Sequence, residues 1–162
     1  MKSSIKTLAI LALLATLACL EGRPALALSI TPISQGTLPG GQIVSVVQIN
    51  LDNGDTIPWH YHTGPGWGTI VAGTLTEDEG CGKALSTFAA GSSFSEIPGK
   101  VHRVFNFGTT PVVIIWVEIY PGCDPNAGTI FVDGPRCEGN SGKSHLERIP
   151  DCSDKDADKG DD

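Results

Sequence analysis

The histidines are the residues of this chain whose spacing suggests chemistry. Two of the four histidines, His60 and His62, stand two residues apart, just after the turn-forming residues 52–55. On a β-strand, residues i and i+2 point to the same face, so both imidazoles can reach one point in space. Neutral imidazole is a good ligand for divalent iron, nickel, copper, zinc or manganese. The pair therefore predicts half of a transition-metal site.

Short strands must position these histidines. Most of them are rich in β-branched or aromatic residues, turns with Gly or Pro lie between them, and they cover residues 43–51, 67–76, 84–90, 94–97, 101–107 and 112–120. No window shows sustained helical periodicity with caps. This pattern predicts an all-β sandwich or barrel. His102 lies on a separate strand after the Pro98-Gly99 turn, and we expect it to approach the pair from across the barrel.

Two stretches resemble the two motifs of the cupin family. The matching residues are Gly54, His60, His62 and Gly73 in the first motif, and Gly91, Gly99, His102 and Asn106 in the second. Pro98 lies one place later than the family's proline. The resemblance covers roughly residues 42–120. It implies a double-stranded β-helix, or jelly-roll barrel, with one metal in its mouth held by His60, His62 and His102.

The chain departs from the family pattern at Gly66, where a glutamate is expected four residues after the second histidine. Three interpretations follow. The site is a three-histidine centre, as in some family members that activate dioxygen. Alternatively, another carboxylate substitutes as a ligand, with Glu118 on the apolar strand as the first candidate and Glu96 as the second. In the third interpretation, the site binds metal weakly or not at all. Glu118 can equally be a salt-bridged residue at the rim.

Two functions of different classes are compatible with these residues. One is a metal-dependent oxidoreductase, most concretely a dioxygenase of a small organic substrate, with catalytic residues beyond the metal ligands unidentified. The other is a binding module that holds a metal or a small ligand without turning it over. A fold alone does not choose between them. The resemblance further implies a homodimer, because small cupins often pair through their sheet edges.

The first 27 residues predict a secretory signal peptide. Lys2 and Lys6 precede an apolar run from Leu8 to Leu20, and Ala25-Leu26-Ala27 is a small-residue cleavage site. A retained membrane anchor and a lipoprotein modified at Cys19 are the alternatives. Cleavage predicts a secreted or periplasmic protein without a membrane attachment.

The charge of the chain argues against nucleic acid and anionic membranes as partners. The whole chain carries −7, and the predicted signal peptide has three basic residues and one acidic residue, so residues 28–162 carry −9. Such a surface repels phosphate groups. We therefore expect a small molecule as the ligand or substrate.

Four cysteines remain after cleavage: Cys81, Cys123, Cys137 and Cys152. An even number in an exported chain indicates disulfides. Sequence alone leaves three pairings open, and our prediction is Cys81–Cys123 with Cys137–Cys152, because each pair stays within one region.

We predict three regions: the signal peptide 1–27, a β-barrel domain 28–123, and an extension 124–162. The extension is expected to add an edge strand at 129–132 and to end in a disordered acidic tail. We expect the charges of the acidic loop 77–82 to be solvated and His145 to have no role. The large aromatics Trp59, Tyr61, Trp67 and Trp116 are expected to pack or to line a pocket, and Asn106 to close a turn or support His102.

Overall fold

The computed structural model describes residues 28–124 and 127–137, and within these residues the chain forms strands and no helix. There are ten strands: β1 (Ser29–Thr37), β2 (Gln42–Leu51), β3 (Thr56–His62), β4 (Gly66–Ala72), β5 (Thr74–Asp78), β6 (Ser86–Ala89), β7 (Ser93–Glu96), β8 (His102–Phe105), β9 (Val112–Pro121) and β10 (Thr129–Phe131). The all-β prediction is confirmed.

The strands form two antiparallel five-stranded sheets, in the orders β1-β2-β9-β4-β7 and β10-β3-β8-β5-β6. Both sheets contribute to one core. The first sheet supplies residues such as Leu51, Ile70 and Val112, and the second supplies Ile57, Leu75 and Val104. Two antiparallel sheets that close over a shared core are the predicted jelly-roll double-stranded β-helix.

Strand β9 shows how the sequence pattern sets the inward face. Its residues alternate along the strand, and Val112, Ile114, Trp116 and Glu118 are all buried. Side chains two residues apart share a face, so the polar Glu118 continues the same inward row as the apolar core residues. The predicted strand 112–120 is therefore confirmed, and its one carboxylate faces the interior.

The predicted strand 67–76 is two strands in different sheets. β4 belongs to the first sheet and β5 to the second, and Gly73 separates them with φ of 76°. A Cβ on Gly73 would lie 2.5 Å from the carbonyl oxygen of Pro111. Positive φ and this close approach both require glycine. The chain passes from one sheet to the other at this residue.

The N-terminal segment forms one nine-residue strand, β1. All residues of β1 are exposed, and β1 lies at the edge of its sheet beside β2. The register runs from Ser29 opposite Asn50 to Thr37 opposite Ile43, with one irregularity between Pro32 and Ser34.

Asn106 closes a turn, as expected. Its side-chain nitrogen donates to the carbonyl oxygens of Leu51 (3.0 Å) and Thr110 (2.9 Å), and its oxygen accepts from the amide of Gly108 (2.9 Å). The residue is fully buried, so these bonds satisfy polar atoms that would otherwise destabilise the core. Asn106 fixes the end of β2 to the turn that precedes β9.

The predicted disulfide pairing is wrong. Cys81 is bonded to Cys137, 56 residues away, and Cys123 is also disulfide-bonded. The reason lies in β10. This strand pairs with β3, and directly after it the amide of Val132 donates a hydrogen bond to the carbonyl oxygen of Trp59. This path carries Cys137 to the loop after β5. Proximity along the sequence therefore does not indicate proximity in the fold.

Several predictions concern residues outside the described ranges: the signal peptide, Cys152, His145 and the acidic tail. Within residues 28–124 and 127–137, no helix has the length and apolar character needed to cross a membrane.

Candidate metal centre

The three predicted histidines lie together inside the barrel. Each offers a ring nitrogen, and these ligand atoms all lie within 4.8 Å of one another. His60 and His62 share a face of β3, and His102 begins β8 directly opposite His60. β8 is the hydrogen-bonded neighbour of β3 in the same sheet, so the expectation that His102 approaches from across the barrel is wrong. The adjacent strand brings it into place.

Burial keeps two of these imidazoles neutral. The pKa of His60 is lowered to about 3, mainly by burial away from water and secondly by repulsion from the charge that His102 would carry. Removal from water, followed by the charge that His62 would carry, lowers the pKa of His102 to about 4. All three residues are at most 4% exposed. His60 and His102 are therefore unprotonated at neutral pH, which is the form that binds a metal.

Hydrogen bonds orient the rings. The Nδ1 of His60 lies 2.7 Å from the carbonyl oxygen of Pro58, and the Nδ1 of His102 lies 3.1 Å from that of Lys100. A carbonyl only accepts, so in each neutral ring Nδ1 carries the proton and Nε2 keeps its lone pair. Metal-binding histidines commonly donate their second nitrogen in this way.

The Nδ1 of His62 lies between two side-chain oxygens. Thr129 Oγ1 is 3.2 Å away and Glu118 Oε1 is 3.3 Å away. The ring of His62 also packs on the indole of Trp116, with 4.6 Å between ring centroids. These contacts hold His62 from three sides.

Trp116 fills the place where the family pattern has a carboxylate. A Cβ added to Gly66 would lie 2.2 Å from the indole of Trp116. No side chain at position 66 can enter the site while the indole is there. The next inward glycine of β4 follows the same pattern, since a Cβ on Gly68 would lie 2.3 Å from the ring of Phe94. The two glycines therefore admit two aromatic rings to the interior.

Glu118 lies at the same level of the barrel as Gly66, because the two residues are paired between β4 and β9. Its Oε2 accepts a long hydrogen bond of 3.5 Å from Trp116 Nε1. Its Oε1 has no hydrogen-bond partner among the described residues, and the contact with His62 lacks hydrogen-bond geometry. Glu118 is adjacent to the histidine group but is not a member of it.

A second buried cluster borders His102 on its other side. Glu77 and Glu96 are at most 3% exposed, and together with His102 they offer ligand atoms within 4.8 Å. Lys100 Nζ lies 3.0 Å from Glu77 and 2.9 Å from Glu79. The expectation that the acidic loop is solvated is therefore wrong for Glu77. The lysine ammonium partly compensates the buried negative charge.

Glu96, the second candidate substitute ligand, belongs to this cluster. Its Oε2 lies 3.2 Å from Lys100 Nζ and 3.9 Å from His102 Nδ1. Burial, followed by the negative charge of Glu77, raises the pKa of Glu96 to about 8. The carboxyl group of Glu96 lies beside the Nδ1 of His102, the nitrogen that donates a hydrogen bond to the carbonyl oxygen of Lys100.

A cavity of about 290 Å³ lies over the three histidines. Its walls are mainly apolar and include Val47, Ile49, Leu75, Phe94, Ile114 and Phe131. Part of the wall comes from β10 and the residues before it, since Ala127, Gly128 and Thr129 also line the cavity. The sequence predicted an edge strand there but gave no sign that it reaches the site. Only the pairing of β10 with β3 brings these residues in.

The other large aromatics have separate places. Tyr61 is buried, as expected, and Trp67 is 47% exposed on the outer surface, contrary to the expectation that it packs. Trp59 lies under the guanidinium of Arg103, which is 4.3 Å from the ring centroid. Of the four, only Trp116 lines the cavity.

Comparisons with known proteins agree with this fold. Residues 47–118 match a family model described as a cupin domain. A comparison with curated proteins finds no match.

Among solved structures, a protein with a double-stranded β-helix domain from Klebsiella pneumoniae subsp. pneumoniae MGH 78578 is 27% identical, over 68% of this chain and 90% of its own, with a TM-score of 0.48. A cupin domain from Bordetella pertussis Tohama I is 22% identical, over 60% of this chain and 98% of its own, with a TM-score of 0.46. An oxalate oxidase is 24% identical, over 71% of this chain and 63% of its own, with a TM-score of 0.51.

Proposed function

We propose that this chain, which carries a cupin domain over residues 47–118, binds a divalent transition metal through His60, His62 and His102. The observation that carries the proposal is the state of the three rings. They are buried, their ligand atoms lie within 4.8 Å, and hydrogen bonds at Nδ1 leave the Nε2 lone pairs of His60 and His102 free.

The donor set fits a first-row transition metal. Three imidazoles without a thiolate suit iron, nickel, copper, zinc or manganese. Glu118 is a further candidate ligand in this proposal, since its Oε1 lies 3.3 Å from His62 and has no hydrogen-bond partner among the described residues. A bound metal would supply Lewis-acid or electron-transfer chemistry. The residues of the chain would orient it, keep it in an apolar cavity and exclude bulk water.

The proposed activity is that of a metal-dependent oxidoreductase, dioxygenase-like, acting on a small organic substrate. The cavity of about 290 Å³ beside the histidines supports this, because it leaves room for a substrate next to the proposed metal. The alternative is a non-catalytic module that holds the metal or a small ligand. The alternative is supported by the cavity wall, where Glu118 is the single carboxylate among the described residues and few groups could exchange protons with a substrate.

We further propose that the protein works outside the cytoplasm, secreted or in a periplasm. The Cys81–Cys137 disulfide supports this location, because disulfides persist in oxidising compartments. The predicted signal peptide agrees with it.

Elemental analysis tests the metal site. We expect the purified protein, reconstituted separately with iron, nickel, copper, zinc and manganese, to hold one equivalent of at least one of these metals. The double variant His60→Ala/His102→Ala should lose it, because a single remaining imidazole is a weak site. His145→Ala serves as the matched histidine control and should keep full occupancy.

Absence of stoichiometric metal from the wild type under all five conditions would contradict the proposal. Equal metal content in the double variant would place the metal elsewhere. With the loaded protein, dioxygen uptake in the presence of phenols, diketones or thiols would support the oxidoreductase. Stable metal binding without turnover of any of them would favour the binding module.

A further inference from the structure

The cavity wall has an unusual charge pattern for a site beside a proposed metal. Apolar side chains form most of the wall, and among the described residues no lysine or arginine lines it. The one carboxylate that residues 28–124 and 127–137 place there is Glu118, and the other polar side chains are the three histidines, Ser45, Thr129, Tyr120 and the indole of Trp116. A ligand that fills this cavity meets mainly hydrocarbon and one acidic group. An anion would find no cationic side chain among the described residues that line the cavity.

The carboxylate of Glu118 has one unsatisfied oxygen. The residue is 5% exposed, and Oε1 has no hydrogen-bond partner among the described residues, while Oε2 accepts from Trp116. A buried carboxylate oxygen without a donor is strongly destabilising. Glu118 is also one of the residues that line the cavity, so a ligand there lies next to its carboxylate and can supply the missing donor.

We propose that the cavity binds a small, uncharged, largely apolar molecule whose hydroxyl group donates a hydrogen bond to Glu118. The proposal rests on the proposed function in taking this cavity as the ligand site, and it names the class of ligand. The hydroxyl would lie beside His62, whose Nδ1 is 3.3 Å from Oε1 of Glu118. The hydrocarbon part packs against residues such as Phe94, Ile114 and Phe131.

The size of the cavity limits the ligand. Its volume of about 290 Å³ equals that of about ten water molecules in the liquid, which corresponds to a molecule of about ten non-hydrogen atoms. A single substituted ring fits this limit. A dicarboxylate such as oxalate does not suit the wall, because its charges would be placed in an apolar cavity beside Glu118.

Binding of simple probes to the metal-free protein tests the inference. Phenol, benzoate and oxalate are titrated by calorimetry into the wild type, Glu118→Leu, Glu118→Gln and Glu77→Gln. We expect phenol to bind at least about tenfold more tightly than either anion, since only phenol donates to Glu118 without adding charge. Glu118→Leu should weaken phenol binding by about tenfold or more, as expected for a lost charge-assisted hydrogen bond.

Glu118→Gln keeps the side-chain shape and one acceptor, so it should retain part of the affinity for phenol. Glu77→Gln is the matched control, because Glu77 is equally buried but does not line the cavity, and its phenol affinity should equal that of the wild type. Thermal unfolding of each variant confirms that it is folded.

The inference is overturned if phenol does not bind, if benzoate or oxalate binds as tightly as phenol, or if Glu118→Leu leaves phenol affinity unchanged. Metal content, measured on the same preparations, separates this result from the proposed function. A wild type that takes up no metal but binds phenol through Glu118 contradicts only the metal site. Loss of metal in Glu118→Gln with unchanged phenol binding would identify Glu118 as a metal ligand and overturn the inference.

Discussion

Gly66 and Trp116 share one volume inside the barrel. The indole lies where a side chain on residue 66 would point, and it packs on the ring of His62 at 4.6 Å between centroids. The absence of a glutamate at position 66 is thus coupled to the presence of a tryptophan on the neighbouring strand. Glu118, whose Oε1 lies 3.3 Å from the Nδ1 of His62, comes from that strand as well, two residues further along.

Gly66→Ala tests this coupling. Its Cβ would lie 2.2 Å from the indole, so the ring has to move, and we expect the free energy of unfolding to fall by about 1–3 kcal/mol. Gly36→Ala is the control. Its Cβ would lie 3.9 Å from the nearest atom, and its effect should stay within about 0.5 kcal/mol.

Chemical denaturation of both variants gives the comparison. The double variant Gly66→Ala/Trp116→Leu should lose less stability than the sum of its single changes, because the smaller side chain makes room for the methyl group. If Gly66→Ala proves as stable as Gly36→Ala, the steric account is wrong.

At the scale of elements, β10 is the least expected part of the site. It has three residues, pairs with β3, and supplies Thr129 to the ring of His62 and Phe131 to that of His60. Such a short edge strand is weakly stabilised by its own hydrogen bonds. The disulfide from Cys81 to Cys137 ties the segment that follows it to the loop after β5. This covalent link holds one wall of the cavity in place.

The double variant Cys81→Ser/Cys137→Ser should lose about 2–4 kcal/mol of stability, because the disulfide closes a long loop in the unfolded chain. Hydrogen exchange locates the effect. The amide of Val132, which is hydrogen-bonded to the carbonyl of Trp59, should exchange much faster than in the wild type. Amides between β2 and β9 should be affected less than that of Val132. Unchanged protection of Val132 would show that β10 is held without the disulfide.

At the scale of the whole molecule, buried titratable groups set the dependence of stability on pH. The lowered pKa values of His60 and His102 mean that the unfolded chain takes up protons below about pH 6.5 that the folded chain takes up only near pH 4 and 3. Stability therefore falls as the pH drops below 6.5. The raised pKa of Glu96, about 8, has the opposite sign. The folded chain keeps that proton up to pH 8, so stability falls as the pH rises toward 8.

The two histidines outweigh the single glutamate between about pH 4.5 and 6.5, so we expect the metal-free protein to be most stable near pH 6.5. Between pH 6.5 and 8 the loss should be about 1–2 kcal/mol. Denaturant titrations across pH 4–9 measure the curve. Glu96→Gln should remove the decline on the alkaline side and make the rise in stability between about pH 4.5 and 6.5 steeper, because the two histidines are then unopposed. A curve that rises steadily from pH 6.5 to 8 in the wild type would contradict this account.

Local patterns in the chain were enough to predict the all-β class, most strand positions and which three histidines come together. Alternation on β9 and the i, i+2 spacing on β3 are local properties, and local spacing is enough to place side chains on one face. Features that depend on contacts between distant residues could not be predicted in this way. The split at Gly73, the neighbouring rather than opposite position of His102, and the burial of Glu77 all follow from strand order. So do the Cys81–Cys137 bond, the indole beside Gly66 and the cavity wall from β10, because each joins segments that only the pairing of the sheets brings together.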